Sequence, residues 1–265
     1  MNPIAATEIS RLEHLTAGLA NPTDLNVAVH TTRKGIKRLR SFLRLARRSI
    51  GTTTYRIENG ALRDTARLLA PARDAYVLID TARDLDASDL VLGVLNEGYT
   101  EAMAALESVG RLEAVHRLEA IAGRWSLLAW HGPDPKSIGT GLRRTYRRGL
   151  VDLETVRSTP TPAAFHGWRR RVKYLRYQLE VLDAPNSFLR PYTELGDDLG
   201  LEHDQAVLLD VCDLRPDDES FASLALRSAE RRNQLRVSAV ERGTPLYSQE
   251  PESFRHTVEE MIGLR

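Results

Sequence analysis

The chain of 265 residues is 42% hydrophobic and 28% charged with a net charge of +1, values of a soluble globular protein able to build a substantial core, so a surface for an anionic partner has to come from segregation of charge and not from excess. A single cysteine, Cys212, excludes an intramolecular disulfide and a cysteine-based zinc site and fits a reducing compartment. The N-terminus lacks a basic stretch ahead of an apolar one and no apolar run approaches the roughly 20 residues of a membrane span, so a cytoplasmic location is expected.

Period-two stretches are absent and helical periodicity dominates throughout. A first helix runs from about Ile4 to Leu19, apolar at Ile4, Ile9, Leu12, Leu15 and Leu19, and is stopped by Asn21-Pro22. Asp24 then caps a long helix that ends near Gly51. Thr53 to Leu69 is amphipathic through Ile57, Leu62 and Leu69, and Ala70-Pro71 separates it from a shorter piece over residues 72–79 with Asp74 as its cap. Ser88-Asp89 opens a helix to about Val109, and Arg111 to Trp130 forms another. His131-Gly132-Pro133-Asp134-Pro135 is the clearest break; it divides the chain into halves 1–132 and 133–265. Helices follow at Ser137 to Val156, Ala163 to Leu182, Asn186 to Leu199, Glu202 to about Leu214 after Gly200, and Asp217 to Glu241, with a short last one from Pro251.

The second of these helices carries the most information. No carboxylate occurs between Asp24 and Glu58. At about 100° per residue, Val29, Ile36, Leu39, Leu43 and Ile50 share one side, while His30, Arg33, Lys37, Arg40, Arg44 and Arg48 line another. Cations three and four apart repel by a few tenths of a kcal/mol each, a cost that a bound anion relieves.

The pattern recurs. HTTRKGIKRLR at 30–40 aligns without gaps on HGWRRRVKYLR at 166–176, giving H-x-x-R-[KR]-x-[IV]-K-x-L-R twice, 136 residues apart. His30, Arg33, Lys37 and Arg40 thus match His166, Arg169, Lys173 and Arg176, and Ile36, Leu39 and Leu43 match Val172, Leu175 and Leu179 on the opposite stripe. Downstream, Ala72-Arg73-Asp74-Ala75 finds a counterpart in Glu202-His203-Asp204-Gln205. Two such halves without strands predict an all-α fold of two antiparallel four-helix bundles, related by internal duplication and pseudo-two-fold symmetry, with a basic groove between them.

The doubled motif resembles that of the CHAD family, the conserved histidine α-helical domains, and the resemblance extends over essentially the whole chain, 1–265, as a single domain. It implies binding of inorganic polyphosphate in a basic cavity between two helical bundles, without catalysis or cofactor, and association with polyphosphate granules in many relatives. The implied ligands are His30, Arg33, Lys37, Arg40, His166, Arg169, Lys173 and Arg176, with Arg44 continuing the stripe. Leu142 to Arg148 resembles the family's basic helix ahead of the second motif; with Leu142, Tyr146 and Leu153 on its core side, Arg143 and Arg147 are expected as ligands and Arg144 and Arg148 as solvated. Tyr174 stands where the first copy has Arg38, so the two walls are not equivalent. The E-x-E-x-K opening of the triphosphate-tunnel domain that adjoins many relatives does not occur in the sequence.

Single-stranded RNA or another polyanion is the alternative ligand, although stacking aromatics interleaved with the cations are few. A phosphohydrolase or phosphotransferase acting through His30 or His166 lacks the acidic metal ligands or activated nucleophile of such chemistry. His203-Asp204 imitates a metal-binding pair, but its counterpart is Arg73-Asp74 and arginine is no metal ligand; Asp74 and Asp204 read as helix caps or arginine partners. His14, His116, His131 and His256 have no metal-ligand spacing and are expected at the surface.

Overall fold

In the computed structural model, which describes residues 3–127 and 133–264, all regular structure among the described residues is helical. Helix α1 spans Pro3–Ala20 and α2 spans Leu25–Ile50. The predicted cap is present: the Asp24 carboxylate accepts from the Val27 N–H at 3.0 Å. Gly51, at φ 83°, separates α2 from α3 (Thr52–Leu68), a backbone state that glycine adopts without a Cβ penalty. Pro71 stands in the first turn of α4 (Ala70–Arg83), where no helical N–H is missed. Helix α5 (Asp89–Ala105) continues through a π-helical turn, Leu106–Gly110, into α6 (Arg111–Leu127). The remaining helices are α7 (Pro135–Ser158), α8 (Pro162–Val181), α9 (Asn186–Cys212), α10 (Glu219–Leu246) and α11 (Pro251–Met261).

Two rings of four helices result: α1, α2, α3 and α6 pack around one axis and α7, α8, α9 and α10 around another, with α11 against α7. They are joined where α2 packs on α7 and α8, so one apolar core runs through both. Ile36, Leu39 and Leu43 of α2 and Val172, Leu175 and Leu179 of α8 are fully buried in it, each worth about 1.5–3 kcal/mol of transfer free energy. The α4–α5 hairpin departs from the first ring. Its Ile79, Val91 and Leu95 form a second, smaller core with Leu208 and Cys212 of α9 and Phe221 and Leu224 of α10. No helix among the described residues is long and apolar enough to cross a membrane.

Three local expectations need correction. Helix α9 runs unbroken through Gly200; a Cβ there would lie 3.6 Å from the Lys173 ammonium nitrogen, and one at Gly196 3.7 Å from Val172, so both glycines sit where α9 lies against α8 and neither ends a helix. Asp74 and Asp204 lie inside α4 and α9 and cap nothing. Ile57 is 58% exposed. Its neighbour Glu58 is the buried residue, with its carboxylate accepting from Arg124 at 2.8 and 3.0 Å and from the Trp125 indole at 3.0 Å, which ties α3 to α6 by charge-assisted bonds.

Candidate functional site

The packing of α2 against α8 brings the two cationic stripes together. Around the middle of the crossing, Lys37 senses Arg169 and Arg33, and Lys173 senses Arg169 and Lys37. Burial, reinforced by these like charges, lowers Lys37 to about 8 and Lys173 to about 7. The buried Arg169 Nε meets no acceptor among the described residues. Arg33 is held at 3.0 Å by the Ala66 carbonyl and at 3.1 Å by the Asp74 carboxylate, so Asp74 does serve as an arginine partner.

The histidines stand at the edge of this group. His30 is exposed and His166 half-buried, and both are shifted down, first by desolvation and then by neighbouring cations: Arg73 and Lys34 for His30, Arg170 and Arg169 for His166. His166 packs on His203 with ring centroids 4.9 Å apart. Burial, Arg169 and His166 push His203 down to about 4, leaving a neutral imidazole. Asp204 is raised by burial against the pull of Arg169 and Lys173. His203 and Asp204 therefore belong to the site, as neutral and anionic neighbours of the cations. Among the described residues no three His, Cys, Asp or Glu side chains converge as a metal site would require.

Further along α2, Arg40 donates to Asn59 at 3.1 Å and Arg44 lies over the Tyr174 ring, 3.7 Å from its centroid. Here a cavity of about 50 Å³ opens between α2, α7 and α8, lined by Arg44, Arg47, Arg144, Arg148 and Arg171. Tyr55 and Tyr174 complete its wall, and Arg47 sits 5.0 Å above the Tyr55 ring. Helix α7 is seated closely on α2 at this point: a Cβ on Gly141 would come within 3.1 Å of the Leu45 Cα and 3.3 Å of the Arg44 carbonyl oxygen.

That contact sets where the arginines of α7 stand. Arg144 and Arg148, three residues beyond Gly141 and Thr145, follow these small residues toward α2 and line the cavity. Arg143 instead pairs with Glu252 of α11 at 3.4 Å, and Arg147 is exposed and stands outside the cavity lining. The signal was in the sequence: Gly139, Gly141, Thr145 and Gly149 are small because helices approach there, so the core side of α7 is broader than its leucines indicate.

Arg176 is also placed differently from its partner Arg40. It is 9% exposed, and Glu180 accepts from it at 2.9 Å and 2.8 Å through Nε and Nη2. Glu180 faces Arg38 as well, at 3.6 Å, and Arg38 is held at 2.9 Å by the buried Glu8. This end of the crossing is a neutralised ion-pair network, whereas the Tyr174 end is an uncompensated arginine cluster. The contacts are reciprocal. Under the offset that aligns the motifs, position 38 matches 174 and position 44 matches 180, so Arg38 with Glu180 and Arg44 with Tyr174 join the same two positions in opposite senses.

A larger cavity, about 220 Å³, lies at the α1–α2 junction among residues such as His14, Thr23, Val27 and Thr31; none of the stripe cations lines it. His14, His116 and His256 are exposed, and His131 falls outside the described residues.

A family model described as the CHAD domain matches residues 4–213. Among solved structures, the crystal structure of the CHAD domain from the plant Ricinus communis resembles this fold with a TM-score of 0.56 at 18% sequence identity, covering 97% of this chain and 89% of that one. No curated protein matches the chain.

Proposed function

The chain belongs to the CHAD domain family, and from that membership we propose that it binds linear inorganic polyphosphate, without catalysis, along the cationic track shared by α2 and α8. The observation that carries this reading is the set Lys37, Arg169 and Lys173: among the described residues these three are half-buried cations, each destabilised by desolvation, without an ion-pair partner. An unpaired buried charge costs several kcal/mol, and a linear anion with a charge on every phosphate relieves three such charges at once through charge-assisted bonds. His30 and His166, neutral beside the track, act as hydrogen-bonding groups. The protein then works in the cytoplasm, at polyphosphate granules where these form.

Single-stranded RNA is less well served. Tyr174, Tyr55, Tyr177 and Tyr76 each have a guanidinium over one ring face, so one side of each of these stacking platforms, which sequence-tolerant binding uses, is taken by the protein's own arginines.

The test is titration with medium-chain polyphosphate at several salt concentrations, for wild type and for Lys37→Ala, Arg169→Ala, Lys173→Ala. By analogy with single-stranded nucleic acids, log affinity falls with log salt by roughly 0.7 per phosphate neutralised. Tight binding with a slope that flattens in the variant supports the reading. A slope that the three substitutions leave unchanged removes it. Orthophosphate release lost in His166→Ala would restore the enzymatic alternative.

A further inference from the structure

We propose that the arginine cavity between α2, α7 and α8 receives the terminal phosphoryl group of a linear polyphosphate, so that the protein distinguishes a chain end from a chain interior. This role presupposes that the track binds polyphosphate, as proposed above.

The charge balance of the cavity differs from that of the track. Around Lys37 and Lys173 the cations share their space with Asp74 and Asp204, which suits an anion of modest charge per unit. Among the described residues Arg44, Arg47, Arg144 and Arg148 have no carboxylate within ion-pair distance, and no acid lines the cavity. Arg171 alone has one, Asp152 at 3.3 Å, and the contact lacks hydrogen-bond geometry, leaving the buried Arg171 Nε without an acceptor. An interior phosphate carries about one negative charge and two free oxygens. A terminal phosphoryl carries a second ionisation near pH 6 and three acceptor oxygens. The cavity, with a greater excess of cations than the track, thus fits the group with the greater charge.

Size and shape agree. About 50 Å³ is several times the roughly 10–15 Å³ that one water needs, enough for the oxygens of one phosphoryl group and too little for a nucleoside. The cavity has a floor, because Gly141 lets α7 close against the α2 backbone. It also has fixed walls: Arg44 and Arg47 lie on tyrosine rings, and a planar guanidinium held on an aromatic face loses less freedom on binding. Arg40 and Arg44 continue the Lys37 stripe into it, so a chain lying on the track has a path to this end. The opposite end is closed by the ion pairs of Arg38 and Arg176 with Glu180.

The experiment compares a linear medium-chain polyphosphate with the same chain after both termini are converted to phosphoramidates, by calorimetric titration of wild type and of Arg144→Ala, Arg148→Ala. Both arginines are exposed, so their removal leaves the fold intact. Wild type is expected to bind the free-ended chain roughly tenfold more tightly, the scale of one charge-assisted contact, and the variant to bind both chains equally. Orthophosphate at equal phosphate concentration is expected not to displace the free-ended chain; if it does, the cavity is a site for free phosphate. Equally tight binding of both chains by wild type, or a preference that survives in the variant, overturns end recognition and leaves polyphosphate binding standing. Failure to bind either chain overturns both.

Discussion

Arg44 of α2 lies 3.7 Å above the ring of Tyr174 of α8, and this contact joins the two basic helices at a position where the first motif has a cation, Arg38, and the second does not. A cation over an aromatic face contributes about 0.5–2 kcal/mol, more as it is desolvated. Tyr174→Ala is therefore expected to lower stability by about 1–2 kcal/mol, and Tyr174→Phe, which keeps the ring, by a small fraction of that. Urea midpoints of the two variants measure the difference; equal losses would mean that the hydroxyl, not the ring, holds Arg44.

If the track binds polyphosphate as proposed, its cations trade stability for binding. Lys37→Met, Lys173→Met replaces two buried ammonium groups by apolar chains of similar volume, and the ligand-free protein is expected to gain about 1–2 kcal/mol at pH 7, as seen when buried charges are exchanged for hydrophobes. Polyphosphate affinity falls in the same variant. Thermal melts and titrations on one sample read both quantities, and a variant that loses both would show these lysines to be structural.

The same pair sets a pH dependence. Lys173 and Lys37, lowered by burial and by like charges to about 7 and about 8, return toward the ordinary lysine value near ~10.4 when an anion lies beside them. Binding then takes up protons in that interval, so affinity is flat below about pH 7 and declines as pH rises toward 10. Stability of the free protein moves the other way. The unfolded chain holds more protons than the folded one across the same interval, so ligand-free stability rises with pH there. Titrations and melts at pH 6.5, 8 and 9.5 (about the span ~7–10.4) test both signs.

On α7 the prediction separates neighbours. Arg144→Ala is expected to weaken polyphosphate binding by roughly threefold to tenfold, the effect of one charge-assisted contact, whereas Arg143→Ala, which removes only the exposed pair with Glu252, leaves it unchanged and alters stability by less than ~1 kcal/mol. Direct titration of the two single variants decides the orientation of the helix in solution.

Away from the site, Glu58 is 2% exposed and satisfies Arg124 and Trp125 together. Arg124 is itself 43% exposed and can turn to water, but the buried Trp125 N–H would lose its acceptor, so Glu58→Ala is expected to cost about 1–3 kcal/mol by denaturant unfolding, with no change in polyphosphate affinity per folded molecule.

Much of this architecture is legible in the chain. Helix existence follows from apolar spacing, and the Asp24 cap, the close of α2 at Gly51 and the buried Ile36, Leu39 and Leu43 stand where periodicity predicts them. Legibility fails wherever a small residue has two physical uses. Gly200 reads as a breaker, yet α9 runs through it beside Lys173. On α7, Gly141 and Thr145 carry too little apolar surface to register as core, yet they decide which arginines face α2. Arg176 shares a motif position with Arg40, but its fate depends on Glu180, four residues on, where the first copy has Arg44. A pattern states which side chains share a face; it does not state which of them a carboxylate from elsewhere neutralises.

The unpaired cations at the α2–α8 crossing bear on how long the molecule lasts. A ligand that binds only the folded state adds RT ln(1 + [L]/Kd) to its stability, about 2.7 kcal/mol at a hundredfold excess over Kd, and degradation that acts through the unfolded state slows in proportion to that population. If Lys37, Arg169 and Lys173 hold an anion as proposed, the empty protein is the form more open to proteolysis and the loaded protein the form that persists. Its cellular half-life would then track the supply of its own ligand, with no separate control needed to match the two.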